Sequence, residues 1–211
     1  MRTALIVGIV TAIGGFFVGM YWQTWYGEKG LVFSVKGCKL RTDMRKLWAD
    51  HVIWTRDYII AAVGGIDDAK MAAERLLRNQ EDLGNAIVPF YGSEAGKKLT
   101  VLLKDHILIA VDVVAAAKAG DKAKLTEADE RWHANARDIA NFLSSANAAW
   151  PVDTLTNMLY EHLKLTTGEA VARISKNWAD DIQAFDQIFD QAMHMADVLT
   201  KGIATQFPEK F

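Results

Sequence analysis

Three short strings decide the fold: LWADH at Leu47–His51, LLKDH at Leu102–His106 and MLYEH at Met158–His162. Each string has two apolar residues, one variable residue, a carboxylate and a histidine. The three histidines recur about every 55 residues. Three unrelated histidines would seldom share both a context and a spacing, so the strings predict an internal repeat.

The residues that follow each string also match one another. Asn79–Leu83 resembles Asn135–Ile139 and, more faintly, Trp178–Ile182. Each repeat therefore reads as two helices, an αα-hairpin. Because several helices carry apolar residues on more than one face, three hairpins around a common core are favoured over an open stack.

Helical periodicity, with capping residues and glycine or proline stops, sets the expected element bounds. No window of the body alternates strictly between polar and apolar residues, so no strand is predicted. Thr42–Asp43 and Thr166–Gly168 are read as helix starts, and Pro89 as a stop. The predicted helices run from about 42 to 63, 67 to 88, 93 to 119, 124 to 146, 152 to 165 and 168 to 201.

The amino-terminal segment predicts a membrane anchor. Thr3–Gly27 carries no charged residue and would span roughly 37 Å as a helix, enough to cross a bilayer. Interfacial aromatics follow its apolar stretch, which favours an uncleaved anchor over a cleaved signal peptide. The predicted domains are a transmembrane anchor over 1–27, a linker over 28–41 and a bundle over 42–211.

The anchor also gives an expected location and lipid partner. Residues 3–27 would contact membrane lipid in a single-pass protein. More lysines and arginines follow the span than precede it, which favours a cytoplasmic bundle. Gly15 and Gly19 form a small-residue pair that suits self-association, although glycine is common in membrane helices.

Composition excludes several classes of function. The 211 residues include 24 Lys and Arg and 26 Asp and Glu, so bulk charge does not favour nucleic-acid binding. A single cysteine, Cys38, excludes an internal disulfide framework. The chain has no phosphate-binding glycine loop and no Gly-x-Ser-x-Gly motif, so no catalysis is evident and an enzyme is disfavoured.

The repeated histidines are the candidate site. Each lies on an otherwise apolar helix and is expected to face inward, where it needs hydrogen-bond partners. A structural polar network is the favoured interpretation. The alternative is a divalent metal ion bound by residues from several helices. The candidate ligands are His51, His106, His162, Asp82, Asp138, Glu169 and Asp181.

Most of the body resembles a family of small uncharacterised bacterial proteins, with similar sequences in large DNA viruses. The likeness covers about residues 40–211. The strings that carry it are Leu47–Arg56, Arg75–Ile87, Asp138–Leu143, Leu159–Leu163 and Gly202–Phe211. Family members are often labelled glycosyltransferase or acetylglutamate kinase. Either activity would need a nucleotide-binding α/β architecture, which this pattern of helices does not predict.

Taken together, the sequence predicts a membrane-anchored helical-bundle protein that acts by binding or assembly, at a membrane or as a virion component. Its partners would be other proteins or further copies of itself. The alternative hypothesis is a metal-binding or metal-dependent protein that uses the histidines and carboxylates of the core. A ligand-binding sensor in the bundle core is a third.

Overall fold

The structure, a computed structural model, describes residues 34–211. This part of the chain consists of helices and contains no strand. The elements are α1 (Val35–Gly64), α2 (Ala69–Ala119), α3 (Lys122–Ala146), α4 (Val152–Ile174), α5 (Trp178–Gln206) and a final 3-10 turn (Pro208–Lys210).

The long helix α2 is bent at Gly92 into two arms, residues 69–91 and 93–119. Gly92 has φ 84° and ψ 168°, a conformation that side chains other than glycine rarely adopt. Pro89, three residues earlier, has no N–H to donate to the preceding turn, which weakens the helix at the same place. The sequence predicted two separate helices here, with the break at the proline rather than at the glycine.

The helices pack as three antiparallel hairpins. The first pairs α1 with the first arm of α2, the second pairs the second arm with α3, and the third pairs α4 with α5. Gly65, Gly120 and Lys176 in the three hairpin turns have φ of 69°, 67° and 59°. Because α1 also packs against α5, the hairpins close around a main apolar core, with a smaller cluster of Ile59, Val114 and Ala170 as well.

Two predicted helix starts lie elsewhere in the structure. α1 begins at Val35, where the Ser34 hydroxyl accepts from the Gly37 N–H at 2.9 Å, well before Thr42–Asp43. α4 continues to Ile174 through the expected cap at Thr166. The Thr166 hydroxyl donates to the His162 carbonyl at 2.8 Å, so its side chain is satisfied inside a helix.

The predicted fold class, a transmembrane helix followed by about six helices, is wrong in two respects. The described residues form five α-helices, because the two arms joined at the Gly92 bend count as one helix. None of these helices combines the length and apolar character needed to cross a membrane. The described residues therefore give no support to the predicted single-pass membrane protein with a cytoplasmic bundle, and the predicted anchor, residues 3–27, lies outside them.

Gly202 of α5 allows the bundle to close over a buried tryptophan. A Cβ atom at this position would lie 1.8 Å from Nε1 of Trp150, which is 1 % exposed and donates that N–H to the Val198 carbonyl at 3.3 Å. Since a packed indole in this place cannot move aside freely, the position requires the absence of a side chain.

The substitution Gly202→Ala should lower the free energy of unfolding by about 2 kcal/mol, through overpacking against Trp150. The matched control is Gly168→Ala in α4, where a Cβ would meet nothing within 4 Å. That change should raise stability by about 0.5–1 kcal/mol, since alanine favours a helix. Urea unfolding measures both, and equal effects at the two sites would contradict the packing.

Candidate functional site

Three histidines from different hairpins meet inside the bundle. His51 lies on α1, His106 on the second arm of α2 and His162 on α4, and none is more than 4 % exposed. The rings of His51 and His162 have centroids 5.6 Å apart. All three line one cavity of about 20 Å³, room for roughly one water molecule. The sequence correctly predicted that they face inward.

Each of these imidazoles contacts a side-chain amide on the second helix of its own hairpin, 29 residues later in the chain. Nδ1 of His106 lies 2.8 Å from Oδ1 of Asn135, and Nδ1 of His162 lies 3.1 Å from Oε1 of Gln191. In both pairs the ring nitrogen donates and the amide oxygen accepts. The indole N–H of Trp132 donates to Nε2 of His106 at 3.1 Å, which completes that ring.

The same two amides bind the backbone of the facing helix. Asn135 donates to the Leu102 carbonyl at 3.0 Å, and Gln191 donates to the Met158 carbonyl at 2.9 Å. Each of these carbonyls belongs to the residue four positions before the histidine. One amide therefore joins both the side chain and the backbone of its partner helix, in the same way in two repeats.

In the first hairpin these two tasks are divided between neighbouring amides. Asn79 donates to the Leu47 carbonyl at 3.0 Å, while Nε2 of Gln80 lies 3.3 Å from Nδ1 of His51. Nε2 of Gln80 also donates to the Leu76 carbonyl at 2.8 Å and to Oδ1 of Asn79 at 3.1 Å. Both hydrogens of this amide therefore have acceptors closer than Nδ1 of His51.

Burial keeps all three rings neutral. It lowers the pKa of His51 well below its ordinary value of 6.5, lowers that of His106 to about 3, and lowers that of His162. Desolvation is the main cause in each case, because a charged ring would lose its hydration without a carboxylate beside it. The neighbouring histidines lower the pKa of His51 and His106 further.

The predicted metal site is wrong for the described part of the chain. Residues 34–211 contain no group of three or more His, Cys, Asp or Glu side chains arranged to hold a metal ion. The four candidate carboxylates lie away from the rings, since Asp82 and Asp138 are exposed and Glu169 and Asp181 bind arginines. Amides, rather than carboxylates, are the partners of the three rings.

A buried ion network lies in the third hairpin and reaches α1. Arg56 of α1 donates to Oε1 of Glu169 at 2.6 Å and to Oδ1 of Asp181 at 3.0 Å. Arg173 donates to the other oxygen of Asp181 at 3.0 Å. Both carboxylates are 1 % exposed, and burial raises the pKa of Glu169 to about 7. The network joins α1, α4 and α5.

Sequence reasoning missed Arg56, and a comparison of the repeats contains the signal that finds its partner. Seven residues after the three histidines come Tyr58, Val113 and Glu169. This position is apolar or aromatic in the first two repeats and a carboxylate only in the third. A carboxylate at a core position needs a paired cation, which indicates an ion pair with a residue of another helix.

One flank of α5 beside this network carries an apolar stripe, two members of which are exposed and two half-buried. Trp178, Ile182, Phe185 and Phe189 follow one another at spacings of four, three and four, which places them along one face. Trp178 is 51 % exposed and Ile182 is 56 % exposed. The rings of Phe185 and Phe189 have centroids 6.1 Å apart. We call these four residues the α5 stripe.

Arginines hold two members of the stripe in place. The guanidinium of Arg56 lies 4.7 Å from the ring centre of Phe185, and that of Arg173 lies 4.9 Å from the ring of Trp178. Helical spacing of the four apolar residues was the available signal for a stripe.

Helix α1 adds one further exposed apolar side chain next to the stripe. Arg45 pairs with Asp197 and Arg56 pairs with Asp181, so α1 and α5 run antiparallel in contact. Ile53 lies between the two arginines and therefore level with the stripe, and it is 47 % exposed. The α5 stripe and Ile53 together define what we call the α1–α5 seam.

Comparisons with protein-family models, curated proteins and solved structures give no match to this chain. The resemblance drawn from the sequence strings therefore stays a prediction.

Acid should destabilise the bundle through its histidines. A histidine whose pKa is lower in the folded state is neutral in both the folded and the unfolded chain above about pH 6.5. Below that pH the unfolded chain binds the proton more readily, so each such ring lowers the free energy of unfolding by about 1.4 kcal/mol per pH unit. Glu169 opposes this trend, because its raised pKa makes the folded state the better proton acceptor between about pH 4.5 and 7. Three rings outweigh one carboxyl, so stability should fall from pH 6.5 to 5.

Urea unfolding at each pH measures this slope. His106→Asn should reduce the slope by about half, because it removes one of three rings opposed by one carboxyl, whatever its effect on stability at pH 7. The control is His194→Asn, which alters an exposed ring and should leave the slope unchanged. A slope that His106→Asn leaves intact would show that this ring is not held neutral in the core.

Removing the central cation of the ion network should be severe. Arg56→Ala leaves Glu169 and Asp181 buried without their shared partner and should lower the free energy of unfolding by about 3 kcal/mol. Arg131→Ala, which breaks an exposed pair with Asp112, should cost under about 1 kcal/mol. Thermal or urea unfolding distinguishes them, and a similar small loss in both variants would contradict the burial of the network.

Proposed function

We propose that this protein acts by binding another protein through the α1–α5 seam, in a structural or assembly role without catalysis of its own. The observation that supports this is the α5 stripe. Four large apolar side chains lie in one line, and two of them are more than half exposed. Contiguous exposed apolar surface of this kind is typical of interaction sites.

Other exposed apolar side chains do not form a comparable surface. Val101 and Leu108 share a face of α2, but the residue between them on that face is Asp105, and Asp112 follows. Ile66 and Met71 lie at the turn between α1 and α2. Scattered exposed apolar residues are ordinary in globular proteins and need no partner.

The seam is also held rigid before any partner arrives. Phe185 lies under Arg56, and Arg56 is fixed by two buried carboxylates. Trp178 lies against Arg173, which donates to one of them. Side chains that are already fixed lose less conformational entropy on binding, which favours affinity. Large aromatic side chains also supply much of the energy in protein interfaces.

A differential pull-down tests this role. Tagged full-length protein is compared with Ile182→Asp, which places a charge within the stripe, and with Leu108→Asp, a matched control on α2 of similar exposure. We expect a protein whose recovery falls about tenfold or more with Ile182→Asp and is unchanged with Leu108→Asp. Circular dichroism verifies that both variants fold.

Two results would overturn the proposal. The first is recovery of every bound protein at the same level by Ile182→Asp and by the wild type. The second is an equal loss for both variants, which would reflect surface charge rather than the seam. Sedimentation of the wild type and of Ile182→Asp identifies the case in which the bound protein is a second copy of this chain.

A further inference from the structure

Resting on the docking role proposed above, we infer that the partner presents an amphipathic helix whose apolar face is flanked by lysine or arginine. The inference joins the shape of the seam to the charge around it. Each property is carried by different residues, so the two can be tested separately.

Unpaired carboxylates surround the seam. Asp57 on α1 and Asp186 and Asp190 on α5 are exposed, and none forms an ion pair with another residue in the range 34–211. Asp57 lies four residues after Ile53, and Asp186 lies four residues after Ile182. These spacings place each carboxylate on the same side of its helix as an exposed isoleucine.

The negative charge is local to this surface. From Trp178 to Thr200, α5 has five aspartates and no lysine or arginine. Asp181 and Asp197 are matched by arginines from neighbouring helices. Elsewhere on α1, Asp43 and Asp50 pair with lysines one turn away. Among the described charges of these two helices, Asp57, Asp186 and Asp190 beside the seam have no such cation. Asp180 also lacks one, but its side chain accepts a hydrogen bond from Asn177.

The shape of the seam favours a helical partner over an extended one. The stripe runs for about three turns, roughly 16 Å, along a single helix. A surface built from two helices offers side-chain ridges and grooves, because the backbone N–H and C=O groups of a helix interior are already bonded. An amphipathic helix matches such a surface through apolar anchors at spacings of three, four and seven.

Charge complementarity then decides which amphipathic helix is accepted. Exposed charge pairs at the rim of an interface contribute modestly to affinity and more strongly to the choice of partner. A basic helix gains from the three carboxylates, whereas an acidic helix places like charges against them. We expect the three together to change affinity by about tenfold.

Fluorescence anisotropy with three labelled peptides of about 18 residues, each roughly 27 Å long as a helix, tests this inference. The first peptide has leucine on one helical face and lysine flanking it, the second replaces lysine by glutamate, and the third scrambles the first. Full-length protein should bind the lysine peptide saturably and at least about tenfold more tightly than either control. Raising the salt from about 50 to about 300 mM should weaken that binding.

Variants locate the binding. The triple change Asp57→Asn, Asp186→Asn and Asp190→Asn should weaken the lysine peptide about tenfold, and Ile182→Asp should abolish selective binding. The control pair Glu127→Gln and Glu130→Gln, on the exposed face of α3, should leave it unchanged. Equal binding of all three peptides, or a lysine peptide unaffected by the triple change, would overturn the inference.

Failure of the inference is distinguishable from failure of the docking role. If no peptide binds, or if the glutamate peptide binds best, the basic-helix inference is wrong. The docking role still stands in that case, provided that the pull-down shows a protein lost specifically with Ile182→Asp. If the pull-down also shows no protein that is lost specifically with Ile182→Asp, the basic-helix inference and the docking role are both wrong.

Discussion

The pairing of a buried imidazole with a side-chain amide on the next helix is the interaction on which the bundle depends. It occurs three times, always 29 residues apart in the chain, and each time it joins the two helices of one hairpin. A neutral ring and an amide satisfy each other without any net charge, so they can lie in an apolar core. Since the three rings come from different hairpins and line one cavity, the same interaction also sets how the hairpins meet.

Positions that differ between the repeats create contacts that only one hairpin makes. The third hairpin replaces an apolar position by Glu169, and the cation that this requires comes from α1 as Arg56. That arginine closes the ring of helices between the first hairpin and the last, and it also supports Phe185 of the α5 stripe. One local substitution in an otherwise repeated pattern thus both fastens the ends of the bundle and builds a rigid exposed surface. The proposed docking role rests on this surface and not on the repeated core.

Much of the core followed from the sequence because it is repetitive. The matching histidine strings predicted three inward-facing rings in an all-helical body, and one ring partner, Asn135, begins a string that supported the repeat. The other ring partners, Gln80 and Gln191, were missed because a glutamine in an amphipathic helix reads as solvent-facing. The bend at Gly92 was placed at Pro89, since proline is the stronger signal in sequence and the unusual φ of glycine is visible only in the structure. The metal site was wrong because amides meet the rings in place of the candidate carboxylates. Asp82 and Asp138 are exposed, and Glu169 and Asp181 bind Arg56 instead.

The protonation of the three rings tests the account most directly. Nitrogen NMR of histidine-labelled full-length protein at pH 6 should show three rings that are still neutral, with the proton on Nδ1 in His106 and His162. Rings that titrate near pH 6.5, as in an exposed histidine, would contradict the amide-paired core and the arrangement of hairpins built around it.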